Sequence, residues 1–331
     1  MDVNGIRYIG RFDYSHPEGP KCGWSASTVH FKFFGTYASA RIRPSGRNYL
    51  TVLVDGIVTT PSLPVMEEGT YVLAEGLPQG PHEITLVKKT EFYLGVLQYL
   101  GFDLGQGYLL PLDPPVQRRI EFIGDSITCG FGNEADNENV EYDPFYDNAY
   151  LSYASIAARA LNAEGFLISW SGFGLIRDFT GNESNTLPAN YHRITLDSSQ
   201  PWDFAQWIPQ VVVINLGTND FNSGRIPEKT PFVEAYKAFV RRIHENYPEA
   251  QILLTLGPLV DGESLEVSRQ YIKDCVVDSL RGQGNDWIHF LEYAHQKAED
   301  GYGVSWHPSL RTHALMGERL AQEIRSIMNW G

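Results

Sequence analysis

The sequence predicts two domains: an antiparallel β-sandwich, followed by an α/β domain whose parallel sheet lies between two layers of helices. Three observations carry this. The first third of the chain alternates apolar and polar residues with period two, as strands with one wet face do. The remainder alternates short apolar runs with longer amphipathic stretches, the order that builds a parallel sheet covered on both faces. Between them Asp113-Pro114-Pro115 interrupts regular structure, because proline restricts the residue before it. The expected domains are therefore 1–112 and 116–331.

In the first domain Val29, Phe31 and Phe33 share one face, opposite His30, Lys32 and Phe34. Ala38, Ala40 and Ile42 alternate in the same way with Ser39, Arg41 and Arg43. A strand over 49–54 leads into Asp55-Gly56, a strong hairpin-turn signal. Further strands are expected over 71–74, 82–87 and 95–102. Several short strands joined by Gly- and Pro-rich turns make a sandwich.

In the second domain, strands are expected over 120–123, 166–170, from Val211 to the turn at Gly217, 252–256 and 287–291. Helices are expected over 150–162, 231–246, 265–280 and 309–328, with Pro231 suited to a first helical turn. The acidic stretch 133–147 is the least regular part. It reads either as a solvated insertion or as one wall of a cleft.

The chemistry concentrates at the ends of these strands. The apolar run Ile120-Glu-Phe-Ile123 stops at Gly124-Asp125-Ser126, placing a hydroxyl just past the carboxyl end of a buried strand, where open α/β sheets keep their active sites. The second strand ends in Gly217-Thr218-Asn219-Asp220, whose Asn219 amide can donate to an oxyanion; one such donor is worth ~2.7–4 kcal/mol of barrier. His307, just before the terminal helix, can take the Ser126 proton and return it to a leaving alcohol. Asp125, next to the serine, reads as a brace for the turn.

Gly124-Asp125-Ser126, then Ser171-Gly172, then Gly217-Thr218-Asn219-Asp220, then His307 resemble, in order, the four blocks of the SGNH (GDSL) hydrolase superfamily. The resemblance implies Ser126 as nucleophile and His307 as general base. It implies an oxyanion hole of the Ser126 and Gly172 N–H groups and the Asn219 amide. With a β domain placed first, with Tyr150-Leu-Ser-Tyr-Ala154 and with Trp306-His307, the chain resembles carbohydrate esterase family 2 over nearly its whole length. That resemblance implies a jelly-roll, carbohydrate-binding-like first domain and removal of acetyl groups from plant polysaccharides. Trp306 is then a platform for a sugar ring. Of the two aromatic residues flanking Gly172, Trp170 reads as core, and either it or Phe173 can line a pocket.

One position departs from the superfamily. Where an aspartate commonly stands three residues before the histidine, this chain has Val304. The main-chain carbonyl of Gly303 or Val304 is expected to hold His307 Nδ1 instead, giving a Ser–His dyad like those of some family members. Asp300 is the less favoured alternative.

Composition narrows the partners. A net charge of −14 argues against nucleic acid, anionic membranes and polyanionic substrates, all of which call for basic patches. No apolar run reaches the ~18 residues of a membrane span. Cys22, Cys129 and Cys275 allow at most one disulfide. His289, His295 and His313 form no convincing metal cluster with His307, and no metal or cofactor is expected. The opening Met1-Asp-Val-Asn-Gly5 is not a signal peptide, although a chain whose signal has been removed would read the same; secretion and a monomer are expected. The expected partner is an acetylated oligo- or polysaccharide. The competing functions are another short-chain or lipid esterase of the superfamily, and a non-catalytic carbohydrate-binding protein.

Overall fold

The computed structural model of the protein describes residues 1–331, apart from the side chain of Ser223. The N-terminal part is two antiparallel sheets. One orders Asp2–Val3, Ile6–Ile9, Thr28–Gly35, Gly80–Lys88, Asn48–Val54 and Ile57–Val65, with Tyr108–Leu110 added beside Thr28–Gly35. The other orders Phe12–Asp13, Lys21–Cys22, Leu97–Asp103, Ala38–Pro44 and Gly69–Ala74. Val29, Phe31 and Phe33 from the first sheet meet Ala40, Ile42 and Leu97 from the second in one buried core, the faces that the alternation assigns inward.

The hairpin at Asp55-Gly56 has both residues at positive φ (52° and 77°), as a two-residue turn matched to strand twist requires. Its second arm, Ile57–Val65, has no counterpart among the expected strands, because Pro61 and Pro64 read as breakers. The strand lies at the sheet edge, where a missing N–H removes no ladder bond.

The C-terminal part is a five-stranded parallel sheet ordered Ala163–Ser169, Arg118–Gly124, Val211–Asn215, Gln251–Leu256 and Ile288–Glu292. The strand order reverses between the first and third of these in sequence. That opens a crevice at the carboxyl ends of Arg118–Gly124 and Val211–Asn215, which pair in register at Gly124 and Asn215. Tyr153–Ala160 and Leu310–Met328 cover one face, burying Tyr153, Ala157 and Leu320. Lys229–Asn246 and a helix running from Gly262 to Arg281 cover the other, burying Phe232, Tyr236 and Ile272.

Two helices differ from expectation. The one expected over 150–162 is split, a 3₁₀ turn at Ala149–Leu151 preceding Tyr153–Ala160, because Asn148 caps the turn by accepting from Leu151 N–H at 3.2 Å. The one expected over 265–280 begins earlier and widens to π-helical geometry over Gln270–Asp278.

The two parts are joined by buried polar contacts. Arg11 of the sandwich donates to Glu121 of the parallel sheet at 2.9 Å, with both side chains fully buried. The Tyr191 hydroxyl donates to the other Glu121 oxygen. Lys89 reaches Glu134 at 2.5 Å, and Arg47 reaches Asp143 at 2.7 Å. The acidic stretch 133–147 is therefore clasped by the sandwich and is not a free solvated insertion.

Candidate active site

Every sequence-marked residue lies at the carboxyl edge of the parallel sheet. Gly124 ends its strand where a Cβ would come 2.0 Å from Thr128 Oγ1, so only glycine fits. Asp125 caps the following short turn, Ser126–Cys129, accepting from Ile127 N–H at 3.0 Å. The chain then leaves through Gly130 at φ 73°, as a left-handed cap demands. Ser126 is thereby fixed, its hydroxyl facing His307 with Nε2 to Oγ at 2.9 Å.

His307 follows a tight turn, Val304–Trp306, in which Ser305 and Trp306 both have positive φ (52° and 65°). Its Nδ1 lies 2.9 Å from the Val304 carbonyl oxygen. Of the two carbonyls expected to hold the ring, Val304 is the one in place. Among the described residues no carboxylate hydrogen-bonds the imidazole. Asp300 lies 3.8 Å from Arg311 instead, and its carbonyl accepts from Ser309 Oγ at 2.7 Å. The ring of His307 rests against Phe131, with centroids 4.5 Å apart, and Phe131 stacks on Tyr142. This enclosure pulls the imidazolium pKa down to about 4, partly offset by the Val304 and Ser305 main chain.

Asn219 uses its amide twice, donating to Phe173 O at 2.9 Å and to Asp125 Oδ2 at 3.3 Å. Burial pushes the Asp125 pKa up to about 7, opposed by the hydrogen bond from Ile127 and reinforced by nearby Asp220. Asp220 in turn accepts from Leu175 N–H at 2.7 Å and Ile176 N–H at 2.8 Å, which fixes the loop after Gly172. Burial pushes its pKa up to about 6.

Gly172 has φ 80°, and a Cβ there would come 2.8 Å from the ring of Phe179, so both backbone and space call for glycine. Just before it, Ser171 donates its N–H (2.9 Å) and its hydroxyl (2.6 Å) to Glu91, a fully buried residue of the sandwich. Burial raises the Glu91 pKa, against those two hydrogen bonds.

Ser126, Gly172, Asn219, Trp306 and His307 all line one cavity of about 1230 Å³. Trp306 is 56 % exposed there and leans on Tyr302. Trp170 packs against the core, as expected, and also lines the cavity; its stacking partner Phe173 packs against the same core without lining the cavity. Tyr142 makes the acidic stretch a wall of the cleft, and its hydroxyl meets that of Tyr93 at 3.2 Å. Tyr93 and Glu91 escape sequence reasoning altogether. They follow Lys88-Lys89-Thr90, a polar run that carries no motif yet is fully buried.

Residues 8–115 match the model of the family Carbohydrate esterase 2 N-terminal, and residues 122–315 that of the GDSL-like Lipase/Acylhydrolase family. The chain is 44 % identical over 329 residues to the cellulase/esterase CelE of Acetivibrio thermocellus, covering 99 % of this chain but 40 % of CelE. It is thus similar to less than half of that relative. It is 27 % identical to an acetylxylan esterase / glucomannan deacetylase of Cellvibrio japonicus, covering 98 % of this chain and 89 % of that protein. A family two carbohydrate esterase from Clostridium thermocellum, solved in complex with cellohexaose, superposes with a TM-score of 0.96 at 44 % identity, over 99 % of this chain and 100 % of that one.

Proposed function

Because the chain belongs to carbohydrate esterase family 2, we propose that it is a serine esterase that removes O-acetyl groups from plant polysaccharides such as acetylated xylan or glucomannan. The observation that carries this is the unbroken line from Val304 O through the imidazole of His307 to Ser126 Oγ, each link 2.9 Å long. A carbonyl on Nδ1 keeps the proton on that nitrogen and leaves the Nε2 lone pair facing the serine hydroxyl. The low pKa keeps the ring neutral, as a base must be.

In the proposed reaction His307 Nε2 takes the Ser126 proton as Oγ bonds to the acetyl carbon. The resulting oxyanion accepts from the Ser126 and Gly172 N–H groups and from Asn219 Nδ2. The sugar oxygen leaves with the proton from Nε2, giving acetyl-serine and a free hydroxyl. Water, deprotonated by the same nitrogen, then releases acetate and restores Ser126. Val304 O stabilises the transient imidazolium only as a dipole, so the dyad relies on orientation more than on charge.

Several features support a saccharide on the leaving-group side. The cavity is far larger than an acetyl group, Trp306 offers an exposed ring face beside His307, and the net charge of −14 suits a neutral substrate. The relatives' names point to acetylxylan and glucomannan. Acetate on the primary 6-hydroxyl of a hexose, which projects from the ring, is the proposed preferred target in glucomannan; xylose, a pentose, has no such position. The division between domains is placed at Asp113-Pro114-Pro115, between the strands Tyr108–Leu110 and Arg118–Gly124. The site is completed within one chain, which supports a monomer, and a polymeric substrate such as xylan supports work outside the cell. Among the described residues no helix is long and apolar enough to cross a membrane.

Hydrolysis of 4-nitrophenyl acetate, acetylated xylan and 4-nitrophenyl octanoate by the protein and by Ser126→Ala tests this. The expected result is acetyl release from the first two, little from the octanoyl ester, and none by the variant. Faster cleavage of octanoyl than acetyl would identify a lipid-type esterase. A folded Ser126→Ala variant with full turnover would remove Ser126 from the chemistry.

A further inference from the structure

We propose that Glu91, supplied by the β-sandwich, is a positioning residue that sets the Gly172 backbone donor of the oxyanion hole; this rests on the role assigned above to Gly172. Glu91 stands at the mouth of a 3₁₀ turn, Phe92–Leu94, just after the strand Gly80–Lys88. Its segment is pinned on both sides. The buried Lys88 ammonium donates to Thr90 O at 2.9 Å and Glu91 O at 2.7 Å. Phe92 stacks on Trp24 at 3.8 Å and meets Trp170 edge-on at 4.9 Å.

From that fixed point the carboxylate reaches the turn that carries the Gly172 N–H. One oxygen accepts from Ser171 N–H and the other from Ser171 Oγ, immediately before Gly172. A single fully buried group of the sandwich thus holds the turn carrying the Gly172 N–H. On the far side of Gly172 the chain is held by Asp220 through Leu175 and Ile176. The turn is clasped from both ends, by one carboxylate from each domain.

This matters because oxyanion donors act through placement, and a shift of about 1 Å can cost about 10²-fold. Glutamine is the same size as glutamate and its carbonyl can still accept from the Ser171 N–H, but its amide obliges the Ser171 hydroxyl to reverse from donor to acceptor and removes the charge from the pair. The hold on the turn weakens, while the cavity's sugar side is untouched. The sandwich on this view is part of the catalytic unit and not an appended binding module.

The test uses the full chain. Active serine is counted with a 4-nitrophenyl alkylphosphonate, which forms one serine–phosphorus bond and releases one nitrophenolate per site; kcat per counted site and KM for 4-nitrophenyl acetate are then measured. Glu91→Gln is expected to lower kcat per active site by roughly three- to tenfold with KM changed by less than about twofold. A merely structural role would reduce the number of active sites and leave turnover per site intact, and that result would overturn the proposal. Should the Gln variant not fold, Ser171→Ala, which removes one of the two bonds, is expected to lose roughly three- to tenfold per site, and unchanged turnover there overturns it equally. Wild-type protein without esterase activity, or Ser126→Ala with full activity, would bring down the reading underneath; loss of activity in Ser126→Ala beside an unaffected Glu91→Gln would bring down this proposal alone.

Discussion

Val304 and His307 are bonded twice: the Val304 carbonyl oxygen accepts from the His307 main-chain N–H at 3.1 Å and lies 2.9 Å from its Nδ1. A tight turn of three residues brings one carbonyl to both groups, and the turn closes only because Ser305 and Trp306 adopt left-handed backbone. Such a conformation costs about 1–2 kcal/mol per residue for a side chain with a Cβ. The Val304 side chain is itself buried against Gly132, which occupies the position with tight packing.

The first prediction concerns this substitute for an acid. Asp300→Asn should lower kcat by less than about tenfold, against ~10⁴ for breaking a serine-protease triad. Its carboxylate lies toward Arg311, and its contact with the histidine loop runs through its main-chain carbonyl to Ser309. Steady-state kinetics on 4-nitrophenyl acetate decides it. A loss near the larger figure in a folded variant would mean that a carboxylate orients His307 during turnover.

Asn219→Ala should reduce kcat by ~10²–10³ with little change in KM, since an oxyanion donor acts on charge that develops only in the transition state. The Phe173 carbonyl holds one amide hydrogen at 2.9 Å, and the other, in a longer 3.3 Å contact with Asp125 Oδ2, leaves that contact to meet the oxyanion. A raised KM at constant kcat would instead make Asn219 a residue for binding the ground state.

The pH dependence follows from the enclosure of His307. Its folded-state pKa is lowered to about 4, because burial disfavours the charged ring. The neutral base is therefore fully present above that value and is lost only as pH falls through it. The acid limb of kcat/KM should lie well below 6.5, the value of an unperturbed histidine. Burial pushes Asp125 up to about 7, so the profile of Asp125→Asn is needed to separate its titration from that of the base. A histidine limb at 6 or above, present in both proteins, would contradict the assignment.

Trp306→Ala should raise KM for an acetylated xylo-oligosaccharide about tenfold, equivalent to about 1.4 kcal/mol of lost contact. Turnover of 4-nitrophenyl acetate, which has no sugar to stack, should change by less than about threefold. Equal effects on both substrates would show that Trp306 acts by supporting the His307 turn, whose backbone it shares.

Much of this architecture is legible in the residues themselves. Period-two alternation marks Thr28–Gly35, whose buried positions are Val29, Phe31 and Phe33. Asp55-Gly56 specifies its own hairpin, because few residues accept two positive φ angles in succession. The apolar runs ending in Gly124-Asp125-Ser126 and in Gly217-Thr218-Asn219-Asp220 mark strands of the parallel sheet and the edge where chemistry collects. These are local signals, each written in a few adjacent residues.

Whatever depends on pairing across the chain is decided only in three dimensions. Ile57–Val65 is a strand despite two prolines, because the sheet leaves its edge unpaired. Lys88, Lys89, Thr90 and Glu91 are a polar run without a motif, yet all four are buried: Lys88 bonds within the sandwich, to the carbonyls of Thr90 and Glu91, while the second domain supplies partners to Lys89 and Glu91. Trp170 packs against the core and lines the cavity at once, and Tyr142 turns an acidic insertion into part of a cleft. The sequence by itself determined two folds and the small set of polar residues at one sheet edge, since backbone conformation and strand burial are imposed by neighbours. It could not determine that the sandwich reaches under the Ser171-Gly172 turn, because a buried carboxylate is tolerable only where partners 80 residues away donate to it.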